Sequence, residues 1–98
     1  MKKMLGGSTP DLKEVIAKGA TIIDVRSKGE YGTGHIKGSI NIPLDTLQAH
    51  MSKLDKKKPV ITCCASGMRS SSAKSMLKAN GFEEVHNAGP WQNLSKYI

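Results

Sequence analysis

The segment Pro59-Val60-Ile61-Thr62-Cys63-Cys64 most constrains what this chain can fold into. Val60, Ile61 and Thr62 are β-branched, and the run is apolar without alternation, which predicts a strand over Val60 to Cys63 covered on both faces. Thr21-Ile22-Ile23-Asp24-Val25 has the same character. Two such strands imply a parallel sheet with helices on either side. Directly after the cysteines come Ala65-Ser66-Gly67-Met68-Arg69 and the serine run Ser70 to Ser72, opening a helical pattern. The unit is therefore strand, tight loop, helix, with a thiol where the strand ends. Such a loop can turn successive N–H groups toward one point, backed by a helix N-terminus. A thiol held there acquires a depressed pKa and is partly thiolate at neutral pH. The competing explanation is a buried structural cysteine at a strand end.

In chain order, Thr9-Pro10-Asp11 predicts an N-cap, a first-turn proline and an early acid. Leu12, Val15 and Ile16 form the apolar stripe of a first helix, which Gly19 ends. Arg26 to Gly34 is a loop with one helical turn near Glu30-Tyr31. Ser39 to Ile42 is a short strand stopped by Pro43. A second helix runs from Asp45 to about Leu54. A third runs from Ser71 to Asn80, with Ala73, Met76 and Leu77 inward and Gly81 as the stop. Val85 to Asn87 is a last strand broken by Gly89-Pro90, and Trp91 to Ile98 forms a final helical turn or two. Strands alternating with helices over 98 residues predict one small α/β layer sandwich. A single domain is expected over 1–98, with 1–8 a flexible N-terminal segment.

Composition narrows the function. Net charge is +7, from thirteen lysines and two arginines against eight acids. The excess favours anionic substrates through long-range attraction. Nucleic acid is disfavoured: aromatics are few, and the densest basic run, Lys56 to Lys58, reads as a solvated turn before a strand. No apolar stretch approaches membrane-spanning length, and the basic N-terminus lacks the hydrophobic region of a signal peptide. Adjacent cysteines are too close for ordinary disulfide geometry, which suits reduced thiols and a cytoplasmic location.

The stretch Asp24-Val25-Arg26 to Glu30-Tyr31, Gly34-His35-Ile36, Gly38-Ser39 and Asn41-Ile42-Pro43 resembles the first signature of the rhodanese family. Cys64-Ala65-Ser66-Gly67-Met68-Arg69-Ser70 is similar to that family's active-site loop, Cys-x-x-Gly-x-Arg-Ser. Asn87-Ala88-Gly89-Pro90-Trp91 resembles its closing motif, with Pro90 where a second glycine is usual. The three matches occur in the family's order. The resemblance implies a mostly parallel, five-stranded sheet flanked by helices, and a sulfurtransferase. Cys64 would attack the outer sulfur of a small anionic donor such as thiosulfate, then pass it from a persulfide to cyanide or a thiol. A protein persulfide donor or acceptor also fits. Ala65, Ser66, Gly67, Met68 and Arg69 would bind the substrate through loop N–H groups. Asp24, Arg26, Glu30 and Ser70 would support the site, Ser70 as the cap of the following helix. No cofactor or metal is expected, nor a nucleic-acid or membrane partner, and the protein should be a monomer.

The remaining conspicuous residues have structural readings. Arg69 can pair with Glu30 behind the loop as readily as contact an anion. His35 is a packing residue, and His50 and His86 lack partners at catalytic or metal-ligand spacing. Trp91 should cover the end of the sheet. The doubled cysteine leaves an alternative open. Four residues separate Cys64 from Arg69, the sulfurtransferase spacing, but five separate Cys63 from Arg69, the Cys-x5-Arg spacing of related phosphatases and arsenate reductases. Gly67, three residues after Cys64, favours Cys64, as does Thr62, which stands where many phosphatases place histidine. Cys63 would then be the last strand residue, buried beside the nucleophile. A non-catalytic, partner-binding rhodanese-like module is the third alternative.

Overall fold

The computed structural model describes residues 11–98; Thr9, Pro10 and the segment expected to be flexible at 1–8 lie outside them. Asp11 is itself the N-cap of α1 (Leu12–Ala17), its carboxylate accepting from Lys13 N at 3.0 Å. Gly19, at φ 90°, turns the chain into β1 (Thr21–Asp24). A short helix α2 (Lys28–Gly32) and the two-residue strand β2 (Ile40–Asn41) follow. Then come α3 (Leu44–His50), prolonged by a 3₁₀ turn over Met51–Lys53, and β3 (Val60–Cys64). The last elements are α4 (Met68–Ala79), β4 (Val85–Pro90) and a closing 3₁₀ helix over Trp91–Tyr97.

All strand pairs are parallel, in the order β2-β1-β3-β4. The described residues thus form a four-stranded sheet, where the family resemblance implied five. The residue pattern itself contains only four β-rich runs, and each of them is a strand. The two central strands are the two-sided apolar runs, and every residue of β3 is buried. One face packs Ile23, Val25, Val60 and Cys64 against Leu47, Ala73 and Leu77 of α3 and α4. The other packs Ile22, Ile61 and Cys63 against Val15 of α1 and Leu94 of the closing helix. Leu47, Leu77 and Leu94 are fully buried, so truncating any of them to alanine should cost about 2–5 kcal/mol.

Several boundaries differ from expectation. α3 starts at Leu44 and gives way to the 3₁₀ turn after His50, ahead of the expected end near Leu54. α4 begins one turn early, at Met68, because Gly67 takes φ 107° and acts as its N-cap. Ser70 therefore lies inside the helix and is not its cap. β4 runs through Gly89-Pro90, which were expected to break it. Among the described residues it is an edge strand, where a proline lacking N–H is tolerated. Its register against β3 slips between Thr62↔Asn87 and Cys63↔Gly89, leaving Ala88 as the extra residue of a bulge.

The topology locates a crevice. From β1 the chain moves outward to β2; it then crosses over to β3 and moves outward the other way to β4. The loops leaving the C-terminal ends of β1 and β3 diverge, which is where open parallel sheets bind ligands. Asp24 and Cys64 stand at those two ends.

Candidate active site

Cys64 closes β3, so the last strand residue is Cys64 and not Cys63. Because strand side chains alternate, the two thiols leave the sheet on opposite faces. Cys64 joins the α3/α4 face, and Cys63 joins the α1 face. The loop Ala65-Ser66-Gly67 then folds back over Cys64. Gly67 N–H donates to Cys64 Sγ at 2.9 Å, and Ser70 N–H reaches it at 3.4 Å. Ser70 Oγ lies 3.3 Å from the sulfur and 3.1 Å from the Gly67 carbonyl. The cradle thus draws on Ser66 and Gly67, within the Ala65 to Arg69 span that the resemblance implied, and on Ser70 just beyond it. Ala65, Ser66 and Met68 form the exposed crown, Met68 being 80% exposed.

Electrostatics separate the two thiols further. Burial by itself raises the Cys64 pKa, but hydrogen bonds from the Ser70 hydroxyl and from the Ser70, Gly67 and Ser66 N–H groups outweigh it and hold the thiol below its ordinary value. Cys63 is pushed up to about 12, first by burial and then by the Asp24 carboxylate. Asp24 is its register partner on β1 and shares its side of the sheet. Near neutral pH Cys63 is therefore a protonated core thiol, and both cysteines are free of disulfides.

The charged residues singled out in the sequence form two bidentate pairs. Asp24, fully buried, receives Arg26 Nε at 2.9 Å on each oxygen and Arg26 NH2 at 2.7 Å. The same guanidinium donates to the Glu30 carbonyl at 3.2 Å and the Gly34 carbonyl at 2.7 Å, and stacks 4.8 Å from the Trp91 ring. Arg26 thereby ties β1, α2 and the closing helix together, and losing one partner of so buried a pair would cost about 3–5 kcal/mol. Trp91 covers the β1 end of the sheet by this contact. Arg69, in the first turn of α4, donates to both Glu30 oxygens at 2.8 and 2.9 Å. That guanidinium holds the Glu30 carboxyl at about 2, helped by the Ser27 N–H of the capping box that opens α2. Arg69 is thus a partner of Glu30, with one N–H of each outer nitrogen engaged by the carboxylate.

Several contributors escaped sequence reasoning. Asn41 donates to the Asp24 and Arg26 carbonyls at 3.0 and 2.9 Å, stitching the loop after β1 to β2. The asparagine of the Asn-Ile-Pro motif was the available signal. Thr62 Oγ1 donates to the Ser70 carbonyl at 2.9 Å, holding the first turn of α4 against β3. Asp45 lines a cleft of about 350 Å³ with Val25, Ser27, Pro43, Leu44 and Arg69. His35 stacks on Tyr31 at 3.8 Å and bonds the Tyr31 carbonyl, while His50 and His86 bond Thr46 and Glu84. Among the described residues no group of His, Cys, Asp and Glu could hold a metal ion, and no helix is long and apolar enough to cross a membrane.

Comparison with known proteins agrees with this geometry. The rhodanese-like domain profile matches residues 8–89. The uncharacterized protein YqhL of Bacillus subtilis is 40% identical over 68 residues, 69% of this chain and 54% of that protein. Thiosulfate sulfurtransferase GlpE of Coxiella burnetii is 36% identical over 66 residues, 67% of this chain and 62% of that one. The chain therefore spans less than two thirds of these curated relatives' length. The solved structure of a rhodanese with anions from E. coli superposes with a TM-score of 0.71 at 34% identity, covering 76% of this chain and 89% of that one. A loop that wraps a strand-end cysteine at the switch point of a parallel sheet, within a profile match over most of the sequence, leads to one conclusion: this chain belongs to the rhodanese-like domain family.

Proposed function

We propose that the protein is a sulfurtransferase that carries sulfane sulfur as a persulfide on Cys64. The observation that carries this reading is the Cys64 cradle, with Gly67 N–H at 2.9 Å and the Ser70 hydroxyl at 3.3 Å from the sulfur. Those donors stabilise a thiolate without a neighbouring base. With thiosulfate, the Cys64 thiolate attacks the outer sulfur. A Sγ–S bond forms, the donor S–S bond breaks, and sulfite leaves with the electron pair. Cyanide or a thiolate then attacks the outer sulfur of the persulfide and returns Cys64 to the thiolate. Cys64 is buried beneath the exposed crown of Ala65, Ser66 and Met68, so the donor sulfur reaches it past those residues. Relatives named thiosulfate sulfurtransferase support the same chemistry. A phosphatase route through Cys63 has the opposite-face geometry against it.

The test is intact-protein mass spectrometry after incubation with thiosulfate. One added sulfur is expected on the wild type and on Cys63→Ser, and none on Cys64→Ser. Sulfur retained by Cys64→Ser would overturn the assignment.

A further inference from the structure

The cleft beside the cradle has a charge balance opposite to that of the whole chain. Its wall is apolar at Val25, Pro43 and Leu44. Arg69 lies there with both outer nitrogens on Glu30, so that pair is neutral as a unit. Asp45, exposed in the first turn of α3, makes no ion pair with any described residue. Its carboxylate is therefore the unbalanced charge of the cleft. The +7 of the chain acts at long range and is screened by salt, whereas a group seated in the cleft meets Asp45 within contact distance.

Resting on the sulfurtransferase reading above, we infer that this cleft selects the sulfur acceptor, and that the acceptor is a small thiol bearing an amine. The amine pairs with Asp45, and the carbon body lies on Leu44, Pro43 and Val25. The thiolate points toward the cradle, whose first-turn neighbour Arg69 forms the cleft's other wall. The acceptor thiolate attacks the outer sulfur of the Cys64 persulfide, forming a new S–S bond. The bond from that sulfur to Cys64 Sγ breaks, and its electron pair returns to Sγ, where the Gly67 and Ser70 donors hold it. The outer sulfur takes a proton from solvent once sulfite has left and carries it through the transfer, so the product is an organic hydropersulfide with no net oxidation. A carboxylate-bearing thiol of the same size is repelled by Asp45.

The experiment loads the wild-type protein with sulfur from thiosulfate, then follows persulfide discharge to cysteamine, 2-mercaptoethanol and 3-mercaptopropionate. Intrinsic thiol reactivity differs among the three, so the quantity read is the cysteamine-to-mercaptopropionate rate ratio, compared between wild type and variants. That ratio should fall about fivefold in Asp45→Asn, fall further in Asp45→Lys, and shrink toward the variant value in high salt. An unchanged ratio in both variants overturns the proposal, as does discharge to cyanide but to none of the thiols. The sulfurtransferase reading survives either result. Failure to form any persulfide removes both.

Discussion

Cys63 and Cys64 are consecutive in β3, yet their thiols lie on opposite faces of the sheet. Cys64 sits under the loop with four nearby donors, and Cys63 sits beside Asp24 on a face without them. The chain carries two thiols, and the fold lowers the pKa of Cys64 while raising that of Cys63.

Replacing each thiol should separate these roles. Cys64→Ser should abolish thiosulfate:cyanide transfer, while Cys63→Ala should retain most of it. Cys63→Ser should keep turnover but unfold earlier, since a hydroxyl on the apolar α1 face without a partner costs about 1–3 kcal/mol. Turnover assays with thermal melts decide the matter; loss of activity in Cys63→Ala at unchanged stability would contradict the assignment.

The two thiols also act oppositely on pH. The depressed Cys64 pKa means that iodoacetamide labelling should show a midpoint below the ordinary 9.0, and Ser70→Ala should move it upward. Stability from this thiolate is full above the unfolded-state pKa and is lost as pH falls through the lower folded value. Cys63 follows the other sign. Its protonated thiol is fully compatible with the fold below 9.0, and stability is lost as pH rises from there toward about 12. Alkaline melts of wild type and Cys63→Ala should therefore diverge above about pH 9, the variant losing less.

Glu30→Gln tests whether Arg69 is held back from substrate. Glutamine keeps the capping box with Ser27 but removes the charge that neutralises Arg69. The KM for thiosulfate should fall about fivefold, as for one partly exposed charge set free. The wild-type pair should also loosen as pH drops from the ordinary carboxylate value of 4.5 toward about 2, where Glu30 protonates. An unchanged KM in the variant would mean that Arg69 lies outside the path of the anion.

Gly67→Ala tests the cradle through its backbone. At φ 107° an alanine costs about 1–2 kcal/mol, and its Cβ would lie 3.4 Å from Gly89 Cα on β4. The strain should tilt the Gly67 N–H away from Cys64, raising the labelling midpoint along with the loss of stability. A destabilised variant with the wild-type midpoint would show that Gly67 only turns the chain.

The four strands were legible because each is a β-rich run between turn residues, and Thr21–Asp24 and Val60–Cys64 announce two-sided burial by lacking alternation. The opposite facing of the two cysteines was equally available, since period two demands it. Other features were hidden for physical reasons. Helix α4 starts at Met68 because a left-handed glycine caps it, whereas Ser70 to Ser72 look like caps in one dimension. β4 continues through Gly89-Pro90 because, among the described residues, it is an edge strand whose outer side needs no N–H from Pro90. The Glu30–Arg69 pair joins residues 39 apart, and no spacing rule reports such a contact.

The Ser70 hydroxyl carries a single proton and faces two acceptors, the Gly67 carbonyl and, once it ionises, the Cys64 sulfur. With a neutral thiol the proton serves the carbonyl. When charge appears on the sulfur, a rotation of one O–H bond transfers the donor to it, and the carbonyl still keeps the Ser71 N–H at 3.0 Å. The switch breaks no helix and moves no heavy atom. On the proposed persulfide cycle, a sulfur alternating between bare anion and capped persulfide would be followed by a hydroxyl that turns with it, without a change in the helix behind the loop.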